Sequence, residues 1–170
     1  MRNTFSRIVG SWGTKPAFNL AGYLWIACMF GLLAGLEANK IGLYLVPPFG
    51  ATLSILLLLS DAAIAQPYAV ITGSVVGASV GTVSSLFARG LGVAVVAAVV
   101  AFGILSLIRA YHPPGVALAM YPLLLHPGVW FPVAVVLPFT ATAVGSAALL
   151  SRLVDKWPAY PKPLDRGRAQ

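Results

Sequence analysis

Charge is what this sequence has least of. Only 9% of its 170 residues are charged and four of them are acids, while 59% are Ala, Val, Ile, Leu, Met, Phe, Trp, Tyr or Cys, for a mean hydropathy of +0.89. A water-soluble domain clothes its surface with about 25% charged residues, so a soluble globule is excluded. The shortage of acids excludes more. Asp61 is the only carboxylate between Glu37 and Asp155, which leaves no paired carboxylates for hydrolysis and no intramembrane aspartyl pair; no enzymatic activity is expected. One cysteine, Cys28, cannot build a disulfide framework, and within an apolar run it reads as a small apolar side chain. His112 and His126 lie fourteen residues apart with no thiol or second acid beside them, short of the three or four converging ligands a metal requires. No G-x-x-x-x-G-K-[ST] occurs, so an ATP-driven pump is not indicated and no cofactor is expected.

What charge there is lies at the ends. Arg2, Arg7 and Lys15 precede the first apolar run and Arg152, Lys156, Lys162, Arg166 and Arg168 follow the last, leaving Lys40, Arg89 and Arg109 between. A net +7 distributed this way resembles cytoplasmic membrane flanks rather than a basic face for phosphates, which argues against a nucleic-acid partner and for the lipid bilayer.

Four uncharged runs, Phe18–Leu36, Pro67–Ala88, Leu91–Ile108 and Val129–Ser151, are each long enough to cross about 30 Å of hydrocarbon at 1.5 Å per residue. No small-x-small cleavage pattern follows the first, so it reads as a retained span. Two shorter runs, Pro47–Ser60 and Pro113–Leu125, open with Pro-Pro followed by glycine. Proline suits the first turn of a helix, where its missing N–H costs nothing, so both read as half-helices that begin inside the membrane. The fold expected is all-α: four long transmembrane helices and two half-helices in a single membrane domain, with basic cytoplasmic tails at 1–17 and 152–170.

The second half echoes the first. Pro47-Pro48 aligns with Pro113-Pro114, Gly50 with Gly115, Pro67 with Pro132 and Gly81 with Gly145 at offsets of 64 to 66, which suggests an internal repeat spanning about 18–88 and 91–151. Small residues recur every fourth position in Gly73-Gly77-Gly81, Ala27-Gly31-Gly35 and Ala141-Gly145, the spacing that lets helices approach closely in lipid. This spacing serves contacts within a chain or between copies, so a homo-oligomer through these faces stays open. Gly77-Ala78-Ser79-Val80-Gly81 also spells G-x-S-x-G, but without the strand-turn-helix context of a nucleophile elbow it reads as helix packing.

The segment from Arg109 through Tyr111 and His112 to Pro113-Pro114-Gly115 sets a cation, a phenol and an imidazole before a half-helix. In its simplest reading Arg109 snorkels, Tyr111 joins an aromatic belt and His112 caps the helix. A sharper reading uses the helix dipole: a helix starting at depth aims unpaired N–H groups and about half a positive charge at whatever precedes it. Two such starts, Pro48-Phe49-Gly50-Ala51-Thr52 and Pro113-Pro114-Gly115-Val116, facing each other near the midplane would hold a small anion. Gln66, Thr72, Ser74, Tyr111 and His112 are expected beside them, and a core almost without acids favours an anion over a cation.

The run His112-Pro113-Pro114-Gly115-Val116-Ala117-Leu118-Ala119, with Pro48-Phe49-Gly50-Ala51-Thr52 and Ala65-Gln66-Pro67, closely resembles the HPP family of integral membrane proteins. That resemblance implies four transmembrane helices and, from plastid and cyanobacterial relatives, transport of nitrite or a similar small anion. The expected function is therefore a transporter or channel for a small monovalent anion in a bacterial cytoplasmic (inner) membrane, with both termini cytoplasmic. The alternative is a non-transporting membrane module that assembles with, or senses through, a partner. Loop charge does not separate four spans with two re-entrant half-helices from six crossings.

Overall fold

The computed structural model describes residues 20–38 and 46–162. The basic segment 1–17, Lys40, Arg166 and Arg168 lie outside the described residues. Among the described residues every regular element is helical: α1 (Leu20–Ala38), α2 (Pro47–Leu58), α3 (Pro67–Ser85), α4 (Leu91–Leu107), α5 (Pro113–Leu125) and α6 (Leu137–Leu153). A 3-10 turn, Ala63–Ala65, leads into α3, and a π turn, Pro132–Val136, leads into α6. Pro138 explains the π turn, because its missing N–H cannot close a regular α turn and the chain widens just before it. Thr140 donates to the carbonyls of Val136 and Leu137 at 2.8 and 3.1 Å. Of the four long spans expected, α3 and the continuous Pro132–Leu153 rod of 22 residues are long and apolar enough to cross a bilayer by length and composition alone.

Side-chain contacts fix the helix directions. Gly22 packs on Leu57 and Gly50 on Phe30, so α1 and α2 are antiparallel. Trp25 donates to Ser146 Oγ at 2.9 Å and meets Trp157 edge-on, so α6 returns to the face where α1 starts. We call this the tail face. It also carries the α2–α3 and α4–α5 connections, since Tyr68 in the first turn of α3 donates to the carbonyl of Ile108. Each helix therefore runs opposite to the one before it.

The tightest packing joins α3 to α5, which run parallel. A Cβ on Gly73 would strike the Ala110 carbonyl and the His112 Cβ; one on Gly77 would strike the Gly115 carbonyl, and one on Gly81 the Ala119 carbonyl. In return Gly115 lies against the Gly73 carbonyl. Backbone meets backbone here, so dispersion and Cα–H···O contacts do the work that hydrophobic burial does in water. Ser79, the residue of the apparent nucleophile elbow, bonds back to the Val75 carbonyl at 2.8 Å within this helix. The other two ladders differ: a Cβ on Gly31 or Gly145 would meet nothing within 4 Å among the described residues.

Candidate functional site

Both Pro-Pro pairs start helices where expected. Gly50 lies against Phe30, ten residues into α1, which sets the start of α2 roughly 15–20 Å from the tail face at 1.5 Å per residue. His112 lies against Gly73, six residues into α3, so α5 starts about 9 Å from that face. The two helices are interrupted at opposite ends, and they overlap side by side rather than meeting head to head.

Their starts offer fewer donors than an ordinary helix start would. The two prolines of each pair have no N–H, Phe49 N–H is taken by the Val46 carbonyl at 2.9 Å, and Gly115 N–H by the His112 carbonyl at 2.8 Å. Pro-Pro lets a helix begin in apolar surroundings with fewer donors to satisfy, and the macrodipole still points its positive end at what precedes it.

A turn delivers His112 to this place. Arg109 has φ 56°, its N–H bonds to the Ser106 carbonyl, and the Ala110 N–H bonds to the Leu105 carbonyl at 3.0 Å. That is a Schellman closure with arginine where glycine is usual. It ends α4 and turns buried Ala110 in against α3. His112 follows, fully enclosed. It occupies the cap position of α5 but makes no capping bond; its ring turns away, so the capping role is ruled out. Nδ1 lies 2.8 Å from the Ile64 carbonyl and Nε2 lies 3.0 Å from Thr52 Oγ1. A carbonyl can only accept, so Nδ1 carries a hydrogen and donates it. In the neutral ring Nε2 then accepts from the Thr52 hydroxyl. The same Oγ1 lies 3.2 Å from the Pro48 carbonyl, a second acceptor for its one proton.

The structure thus brings Pro48, Thr52 and His112 together, with Gly73 and fully buried Ser74 on the adjoining stretch of α3. Phe49 is buried and stacked on Phe139 at 3.8 Å, and Gly50 sits beside Phe30. Pro114 and Gly115 are buried; Pro113, Val116 and Thr72 are half-buried. Three residues do not face the site. Ala51 is exposed. Gln66 spends its amide on the Ser60 and Ala62 carbonyls, tying the α2–α3 connection. Tyr111 packs edge-on against Phe102. His126 is exposed at the opposite end of α5 from His112.

Two hydroxyls stand apart. Ser54, Ser79, Ser106 and Thr140 bond back to the carbonyl four residues earlier, the usual outlet for a helical hydroxyl. Ser74 Oγ and Thr82 Oγ1 are buried and have no partner. Spaced i and i+8, they share one face of α3 with Ala78 between them. Thr82 was not anticipated from sequence, where it reads as one more small residue.

Residues 154–162 are not a free tail, which corrects that part of the expected 152–170 segment. Trp157 and Tyr160 are buried, the Tyr160 hydroxyl donates to the Ala65 carbonyl at 2.9 Å, and Ser151 donates to the Tyr160 carbonyl at 2.7 Å. Lys162 pairs with Asp61 and holds its carboxyl below the usual range; burial pushes the Tyr160 phenol up. Adjacent carbonyls, Ile64 and Ala65, are thereby held from two sides, by His112 and by this strap.

The outer surface is apolar. Phe87 and Leu107 are 85% and 84% exposed, and Val95, Val96, Val99 and Phe102 line the outside of α4. A surface like that is matched to lipid tails rather than to water. No curated protein and no solved structure matches the chain. The family described as "HPP, transmembrane region" matches it over residues 12–161. This is a membrane protein, and it belongs to the HPP transmembrane family.

Proposed function

We propose that the protein passes a small monovalent anion, nitrite being the substrate suggested by its family resemblance, across a bacterial inner membrane. The observation that carries this reading is His112, an ionisable side chain fully enclosed where two interrupted helices overlap. An ionisable group inside a membrane domain is costly and marks a pathway or relay by default, and broken helices are tolerated at depth where protein or a wet cavity surrounds them. The unpartnered hydroxyls of Ser74 and Thr82 extend from the level of His112 toward the opposite face and offer donors that do not compete with helix bonds.

Helix directions support six crossings, with α2 and α5 as interrupted ones. Three crossings per half would make the two halves inverted repeats, the arrangement of many secondary carriers. The α3–α5 contact through glycines then has its counterpart in α6 and α2, joined by the Phe139–Phe49 stack. Among the described residues the tail face carries Arg109, Arg152, Lys156 and Lys162 against Arg89 on the opposite face, which supports a cytoplasmic tail face. The test is nitrite uptake by proteoliposomes at pH 8, where little of the permeant neutral acid is present. Uptake above protein-free vesicles that is lost in His112→Ala supports the reading. Uptake equal to protein-free vesicles rejects it in favour of the non-transporting module.

A further inference from the structure

Building on that reading, we infer that the anion is bound together with a proton, which His112 Nε2 takes up, so that transport is electroneutral anion–proton symport. The argument starts from the hydrogen bonds. Nδ1 donates to the Ile64 carbonyl in either protonation state, so Nε2 is the atom that titrates. When Nε2 is bare, Thr52 gives it the hydroxyl proton. When Nε2 is protonated it donates to Thr52 Oγ1, and the Thr52 hydroxyl proton turns to the Pro48 carbonyl. Both states are fully hydrogen-bonded with no heavy atom moved, so adding the proton strands no donor or acceptor. What opposes it is the burial of a charge.

That charge has no counter-ion among the described residues. α2 and α4 carry no titratable side chain, and the α2–α3 connection carries Asp61, already paired with Lys162. α3 contributes Tyr68 and the segment before His112 contributes Arg109, exposed, and Tyr111, packed on Phe102. α5 contributes Tyr121, stacked on Phe131; α6 contributes Arg152 in its last turn; the strap contributes Asp155 and Lys156, both exposed, and Tyr160, bonded to Ala65. Glu37 lies seventeen residues along α1, about 25 Å from its start, against about 9 Å for His112. A buried imidazolium without a carboxylate is strongly disfavoured, so a small anion entering beside it is the missing counter-charge. Anion and proton must then promote each other's binding reciprocally. Unpartnered Ser74 Oγ, next to Gly73, supplies a neutral donor in the same region.

The experiment is nitrite titration calorimetry of the purified protein in detergent, in two buffers of different ionisation enthalpy, at pH 7 and pH 8. We expect uptake of about one proton per nitrite, with the apparent Kd weakening about tenfold from pH 7 to pH 8. His112→Gln, which still donates and accepts but cannot titrate, abolishes both the proton uptake and the pH dependence, whereas His126→Gln leaves both in place. Nitrite binding by the wild-type protein without proton uptake overturns the inference and leaves the transport reading standing. Neither binding nor vesicle uptake removes the transport reading, and the symport with it. The wild-type heats decide between these outcomes even where a His112 variant fails to fold.

Discussion

Replacing Gly77 by alanine is the smallest perturbation that tests the packing on which the site depends. In a helix interior the change gains up to about 1 kcal/mol of intrinsic propensity. At Gly77, however, the added methyl would occupy the position of the Gly115 carbonyl. Neither partner is a side chain that can rotate away, so α3 and α5 must separate, and overpacking of this kind costs typically about 1–3 kcal/mol. The same substitution at Gly145, where nothing lies within 4 Å, keeps the propensity gain without the collision. The two variants should therefore differ by about 2 kcal/mol or more, with Gly145→Ala at or above wild type and Gly77→Ala below it. For a chain of this size that is a separation of roughly 4–8 °C in Tm, readable by tryptophan fluorescence on heating in detergent. Equal melting of the two variants would refute the backbone contact between α3 and α5.

Thr52→Val keeps the side chain's shape but removes the partner of His112 Nε2; stability should fall by about 1–3 kcal/mol, the penalty for a buried polar atom left unsatisfied, and nitrite uptake should fall with it at unchanged oligomer size on gel filtration. Tyr160→Phe should cost about 1–2 kcal/mol through the lost bond to the Ala65 carbonyl. Because burial raises the phenol's pKa, the folded state holds that proton more tightly than the unfolded chain; the associated stability is present below pH 10 and is lost as pH rises beyond it. Melting curves at pH 8 and pH 11 should therefore show a smaller alkaline drop in the Phe variant than in wild type. Arg109→Gly should raise stability by roughly 1 kcal/mol, since the position is left-handed and glycine enters it without the Cβ clash, part of the gain being offset by glycine's freedom in the unfolded chain; a lower Tm would show that the arginine side chain itself holds the turn.

The legible features were those written by local chemistry. Pro-Pro fixes where a helix can start, and α2 and α5 start at Pro47 and Pro113. Glycine spacing marked Gly73, Gly77 and Gly81, but the same spacing at Gly31 and Gly145 meets no neighbour among the described residues, because a small residue permits approach without specifying a partner. Ile64 could not be read at all: it acts through its carbonyl, which every residue possesses. Trp157 and Tyr160 were hidden by their neighbours, Lys156 and Lys162, whose charges make the segment look like a solvated tail. The helix starts carry the plainest lesson. The property that lets Pro-Pro begin a helix at depth, its missing N–H, also removes two of the donors an anion could have used at each start.

The way the parts are held indicates which of them can move. Between α3 and α5 backbone rests on backbone at Gly73, Gly77 and Gly115, with few side-chain atoms to repack. Interfaces of that kind are bistable at best and do not deform gradually. His112 is carried on α5 and so stays with α3. The other walls are held differently: α2 meets α6 through side chains, among them the stacked Phe49 and Phe139, and meets α1 through Leu57 and Phe30. The Ile64 carbonyl rides on a connection secured by hydrogen bonds from His112, Gln66 and Tyr160 and by the Asp61–Lys162 pair. On the transport reading, access to the enclosed imidazole is expected to come from displacing α2 and its connection relative to the α3–α5 pair, which would break the bonds of His112 to Thr52 and to the Ile64 carbonyl.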